Sequence, residues 1–123
     1  MAINRDALQS SGVLNKFIEK LIEDTKSNKL EWTMAENQHS AEAYFVEIDE
    51  VGKIIIKEDY VYEHLDFYID DDRIISVDED DREYYPNMNR LFRLAQNSYM
   101  QQLQLRPENA KLIKAITAYI NAD

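Results

Sequence analysis

Between Ser11 and Ser27 the apolar residues Leu14, Phe17, Ile18, Leu21 and Ile22 recur at spacings of three and four, which puts them on one stripe of an amphipathic helix. On the other face Lys16 repels Lys20 and Glu19 repels Glu23, so packing of the stripe has to hold this helix. Ser27 and Asn28 end it. The period then falls to two in "KLEWTMA", where Leu30, Trp32 and Met34 alternate as a short strand and Trp32 is a core residue. In "AYFVEID" the inward set is Tyr44, Val46 and Ile48; after a turn at Gly52, "KIIIK" offers Ile54 and Ile56. "VYEHLDFYID" alternates Leu65, Phe67 and Ile69 against His64, Asp66, Tyr68 and Asp70. A three-residue loop, Asp70 to Asp72, sets Phe67 opposite Ile75 and Leu65 opposite Val77, whereas a two-residue loop sets Phe67 opposite Ser76. We therefore expect the three-residue loop.

Helical spacing returns after Pro86. Met88, Leu91, Phe92, Ala95, Tyr99 and Leu103 share a face, with Asn87 placed to cap the first turn. Arg106 and Pro107 break that helix; Pro107 suits the first turn of a last one, whose buried stripe is predicted at Leu112, Ile113, Ile116 and Ile120. The expected fold is a two-layer α+β domain spanning residues 1–123: an N-terminal helix, a four- to five-stranded antiparallel meander and two C-terminal helices. A composition of 45% hydrophobic and 31% charged residues agrees with one ordinary globular domain.

The segment "TKSNKLEW", Thr25 to Trp32, and the later "LFRLA", Leu91 to Ala95, change this picture from generic to particular. With the meander and its acidic hairpin between them, the chain resembles a loose group of small bacterial proteins of unassigned function that open with a helix and a T-K-[ST]-[GN]-K-L-x-W segment. Asn28 stands here where that group commonly has Gly. The resemblance implies an accessory gene of phages or mobile elements, and it carries over no catalytic residue.

Charge then narrows the function. The net charge is −10, and residues 40–83 hold sixteen Asp/Glu against four Lys/Arg, while residues 84–123 carry a net +3. Such a field repels phosphate backbones and anionic lipid, so no direct nucleic-acid or membrane binding is expected and a basic protein surface is favoured. The absence of Cys removes disulfides, thiolate metal sites and thiol nucleophiles, and fits a reducing cytoplasm. Nothing near the N-terminus reads as a secretory leader, and no apolar run is long enough for a membrane span.

Catalytic chemistry finds little purchase. His39 and His64 are the only histidines, neither sits in a nucleophile motif, and with Gly12 and Gly52 alone there is no Gly-rich phosphate loop. "IDDDRIISVDEDDREYYP", residues 69–86, holds six Asp and two Glu, all hard oxygen donors for Ca²⁺ or Mg²⁺. The spacing excludes an EF-hand. A loop starting at Asp70 meets Ile74 at its fifth position and Ile75 at its sixth, and one starting at Asp78 meets Arg82 at its fifth. No metal and no cofactor is implied.

The reading is a non-enzymatic interaction domain. Its expected surface is an acidic, aromatic sheet face in which Phe45, Ile55, Tyr62, Tyr68 and Ile74 interleave with Glu47, Asp49, Glu58, Asp59, Glu63 and Asp66. The residues assigned to it are Tyr62, Asp66, Tyr68, Asp70, Asp71, Asp72, Asp78, Glu79, Asp80, Asp81 and Glu83. A second reading is a nucleic-acid mimic whose carboxylates occupy the phosphate groove of a DNA-handling enzyme, of anti-restriction or anti-CRISPR type. Exposed edge strands of so small a meander also invite homodimerisation.

Overall fold

The computed structural model describes residues 4–122. A short helix α1 (Arg5–Ser10) precedes α2 (Val13–Lys26); then come β1 (Thr33–Gln38), β2 (Ala41–Ile48), β3 (Gly52–Asp59), β4 (His64–Ile69) and β5 (Asp72–Val77), followed by α3 (Tyr85–Leu105) and α4 (Pro107–Ile120). The five strands form one antiparallel sheet in the order β1-β2-β3-β4-β5. This is the α+β meander that the change of hydrophobic period predicts, with α1 as an added element.

Antiparallel register aligns Tyr44, Ile56, Phe67 and Ile75 across four strands, and Val46, Ile54 and Ile69 beside them. All are buried. Helices α2 and α3 lie on this face: Phe17 of α2 meets the Phe67 ring edge-on at 6.2 Å, and Phe92 of α3 packs on Tyr44 at 5.6 Å. α3 crosses the sheet. It starts near the end of β5 and reaches the β1 side, where Ser98 Oγ accepts from the Trp32 amide and Gln102 Nε2 donates to the Trp32 carbonyl. Trp32 is fully buried just ahead of β1, and its indole N–H donates to Thr25 Oγ1 at 2.9 Å.

Local conformation explains several sequence choices. Asn28 has φ 64° immediately past the end of α2, a left-handed position where Gly or Asn costs least. Asn87 does not cap α3. The helix begins two residues earlier, with Pro86 in its first turn, and Asn87 Nδ2 instead donates to Asn15 of α2. The turn into α3 is made by Asp81, whose Oδ1 accepts from the amides of Glu83 and Tyr84.

The β4–β5 hairpin corrects the expected loop while keeping its register. Phe67 does pair with Ile75 and Leu65 with Val77. The loop, however, is the two residues Asp70 and Asp71 between Ile69 and Asp72, and the extra residue is Ile74, bulged between Arg73 and Ile75. A bulge sets two residues opposite one and breaks the alternation of faces. Ile74, expected on the open face, is accordingly 2% exposed and joins the core. Gln9 of α1 lies beside it, its Nε2 3.5 Å from the Ile74 carbonyl.

At the same end of the sheet Gly52 has φ 127° and faces the Asp70 carboxylate, whose Oδ1 accepts from the Lys53 amide at 3.0 Å. A Cβ on Gly52 would come within 2.6 Å of Asp70 Oδ1. Gly52→Ala is therefore expected to destabilise the domain by about 1–3 kcal/mol through backbone strain and displacement of Asp70. In urea unfolding, Asp70→Ala should make the same glycine substitution cheaper; equal costs in both backgrounds would show that the clash is not the cause.

α4 departs most from expectation. Its predicted stripe, Leu112, Ile113, Ile116 and Ile120, is exposed, and no residue of α4 is buried. The pattern is amphipathic as read, but α2 and α3 already cover the core face. Arg106, extended at ψ 135°, also turns the chain off the line of α3.

Candidate functional site: an acidic cleft at one end of the sheet

The negative charge gathers at the ends of the strands. One side of the sheet is the core; the side without α2 or α3 carries the rows Thr33, Phe45, Ile55, Tyr68, Arg73 and Glu36, Ala43, Lys57, Asp66, Ser76, with Glu47 opposite Lys53. Cations interrupt it. Lys57 Nζ lies 3.3 Å from Glu36 and Lys53 Nζ sits 4.4 Å over the Phe45 ring. This face is therefore aromatic and mixed in charge, which corrects the expectation of an acidic sheet face.

The residues expected on that face divide among four places. Tyr68 and Asp66 do belong to it, but Asp66 is only 3% exposed, flanked across the strands by Lys57 and Ser76. Its Oδ1 lies 3.2 Å from His64 Nδ1, an ion pair when the imidazole is protonated, and neither atom makes a hydrogen bond among the described residues. Glu58 is on the core side: it pairs opposite Leu65 and receives Arg93 at 2.9 Å. Asp70, Asp71 and Asp72 form the tip of the β4–β5 hairpin, next to the β2–β3 turn with Asp49 and Glu50. Asp70 is occupied there by the Lys53 amide.

Tyr62, Asp78, Glu79 and Asp80 meet at the opposite end of β4, some 17 Å away for a strand of this length. Pairing of Leu65 with Val77 brings the turn before β4 against the segment after β5. Between them opens a cleft of about 560 Å³. Glu58, Asp59, Glu63, Asp78, Glu79 and Asp80 line it together with Tyr60, Tyr62 and Tyr85, and no Lys or Arg does. Asp81 and Glu83 fall outside this lining, Asp81 being committed to the turn that starts α3.

Hydrogen bonds hold the rims in shape. Asp59 Oδ1 accepts from the amides of Val61 and Tyr62, and Asp78 Oδ1 from that of Asp80. These are Asx turns, in which a short carboxylate replaces a backbone acceptor. Part of the acidic run thus serves chain geometry. Among the described residues Glu79 and Asp80 make no side-chain hydrogen bond, and both remain exposed, as does Glu63. Tyr62 is 74% exposed and stacks on His64, ring centroids 6.0 Å apart and planes 9° apart. Burial first, then the charges of Glu42 and Glu58, hold the Tyr60 phenol above its ordinary pKa.

Chemically the cleft offers carboxylates beside flat aromatic faces, the combination that accommodates guanidinium or ammonium groups. Among the described residues no three His, Asp or Glu side chains converge as metal ligands, and no helix is long and apolar enough to cross a membrane. Tyr60, Tyr85 and His64 were not among the expected interaction residues. For Tyr60 and His64 the signal was the interleaved "EDYVYEH" leading into β4, which the hairpin register places beside "DED" at 78–80. Compared with protein-family models, curated proteins and solved structures, the chain matches none.

Proposed function

We propose that this chain is a small, non-enzymatic interaction domain, cytoplasmic and of bacterial or phage origin, that binds a basic segment of a protein partner in the acidic cleft. The observation that carries the reading is the cleft itself: six carboxylates, of which only Glu58 is paired with an arginine, and three tyrosines surround it, with no Lys or Arg in its lining. A guanidinium can lie on the Tyr62–His64 stack while its N–H groups reach Glu63, Glu79 or Asp80, so stacking and charge-assisted hydrogen bonds act on the same group. The bacterial or phage setting rests on the resemblance in "TKSNKLEW" and "LFRLA". The lining contains no Ser, Thr or Cys nucleophile, which favours binding over covalent chemistry.

Calorimetric titration with an oligo-arginine peptide tests this. Binding is expected at about 50 mM salt and should weaken at least tenfold at about 500 mM, because exposed pairs are screened within a few ångströms at high salt. Glu79→Gln with Asp80→Asn should abolish it without unfolding the domain, since neither side chain supports a turn. Tyr62→Ala should weaken it at both salt concentrations. Undiminished binding by these variants, or no binding at low salt, would end the proposal.

A further inference from the structure

The exposed apolar face of α4 points to a second copy of this chain. Leu112, Ile116 and Tyr119 recur at spacings of four and three, with Ile113 and Ile120 flanking them. At 100° per residue they share an arc of roughly 120°, from which Lys111, Lys114 and Glu108 are all absent. The arc is uncovered: Leu112 is 59% exposed, Ile116 50%, Tyr119 83% and Ile120 71%. Every residue from Ala110 to Ala122 is exposed. α4 touches the rest of the domain through α3, near its own start, where Asn109 Nδ2 donates to the Leu103 carbonyl. A helix of 14 residues with no packed face is marginal in water, so this one requires something to lie on.

We infer that α4 pairs with α4 of a second copy around a two-fold axis near Ile116, giving a homodimer. Size is the first argument. With Leu105 at the end of α3, the exposed apolar side chains of this arm present on the order of 800 Å² per copy, the area each side of a stable interface contributes. Composition is the second. Leu, Ile and Tyr at alternating spacings of three and four form a self-complementary seam, and the lysines lie on the back of the helix, away from their counterparts. Charge placement is the third. α3 is 21 residues and therefore about 31 Å long; its first residue, Tyr85, lines the acidic cleft, and α4 follows its far end. Pairing through α4 holds the two clefts several Debye lengths apart at ordinary ionic strength and leaves both open. Pairing by strand edges is less suited, because β1 is bulged between Met34 and Glu36 and α1 lies beside β5.

Light scattering on the full chain is expected to give twice the 14.5 kDa chain mass. Ile116→Asp should yield a monomer whose β-sheet circular dichroism and thermal unfolding of the core persist, since Ile116 is exposed and α4 contributes no buried residue, while Lys114→Glu on the back of the helix should stay dimeric. Because the chain has no cysteine, a single introduced thiol reports the seam directly. Ile116→Cys should oxidise to a disulfide-linked dimer at least tenfold faster than Lys114→Cys. A monomeric wild type, a larger oligomer, an Ile116→Asp dimer, or equal cross-linking of the two thiol variants would overturn the inference.

Discussion

Trp32→Ala is expected to remove about 3–5 kcal/mol of stability, a large part of the ~5–15 kcal/mol that holds a domain of this size. Two losses coincide at this position, at a point where the chain is fastened to α3. The indole is fully buried at the junction of α2, α3 and the start of β1, so its removal leaves a cavity. Its N–H group donates to Thr25 Oγ1, which itself donates to the Leu21 carbonyl at 2.6 Å within α2. Its backbone is fastened on both sides to α3 by Ser98 and Gln102, so the void opens where sheet and helix are joined. Urea unfolding followed by circular dichroism should show the midpoint falling by about 1–5 M, or no folded baseline, for a slope of ~1–3 kcal/mol per M. Thr25→Val separates packing from hydrogen bonding: it keeps the volume but leaves the indole N–H buried without an acceptor, at about 1–3 kcal/mol. A midpoint shift below about 0.5 M for Trp32→Ala would mean that the junction is not a major contributor to stability.

Stability should also fall steeply above pH ~10. Burial, and then the neighbouring Glu42, pushes the Tyr44 phenol far above its ordinary pKa; burial also raises that of Tyr84, with Glu83 and Asp81 adding to it. Below the ordinary phenol pKa of ~10 both folded and unfolded chains hold these protons, and the contribution is fully present. Above it the unfolded chain sheds protons that the folded chain keeps, so stability is lost as pH rises toward the folded-state pKa. The slope approaches ~1.4 kcal/mol per pH unit for one fully buried group. Tyr44 is that group. Its ring is fully buried between Phe92 and Tyr99, and its hydroxyl has no hydrogen-bond partner among the described residues, while the neighbouring Glu42 Oε2 accepts from Gln96 at 2.7 Å and from Tyr60 at 3.4 Å. Tyr44→Phe should therefore be close to neutral at pH 7 and should flatten the alkaline decline. Urea midpoints at pH 9, 10 and 11 check both statements. An alkaline slope as steep in the phenylalanine variant as in the wild type would refute the assignment to Tyr44.

Both expectations come from contacts between elements remote in the chain, and the same division separates what could be read from the sequence. Side-chain period is a local property. It was enough to locate α2, the strand meander, α3 and α4, because 3.6- and 2-residue repeats are set by backbone geometry alone. It also sufficed to pair Phe67 with Ile75 and Leu65 with Val77, since a slip of one residue would turn the hydrophobic set of β5 to the wrong face. The residue surplus in that hairpin was legible; its place, in a bulge at Ile74 rather than in the loop, was not, because either arrangement satisfies the same pairing. α1 was missed for lack of periodicity in its six residues.

Where the charges ended up was decided in three dimensions. From the sequence, Asp66, Glu58 and Tyr62 look alike as outward positions of a meander. Cross-strand register puts Asp66 on the open face among Lys57, Ser76 and His64, Arg93 of α3 claims Glu58, and Tyr62 falls in a turn beside residues 78–80. The acidic cleft exists only because the two ends of the β4–β5 hairpin converge. For α4 the sequence alone determined that one side is apolar, through the spacing of Leu112, Ile116 and Tyr119. Whether the same chain covers that side was settled by competition for a finite core. α2 and α3 fill the one buried face of the sheet, so an amphipathic stripe that would be buried in another arrangement stands exposed here. Periodicity records which side of an element avoids water, and only the packing of all elements together decides what meets it.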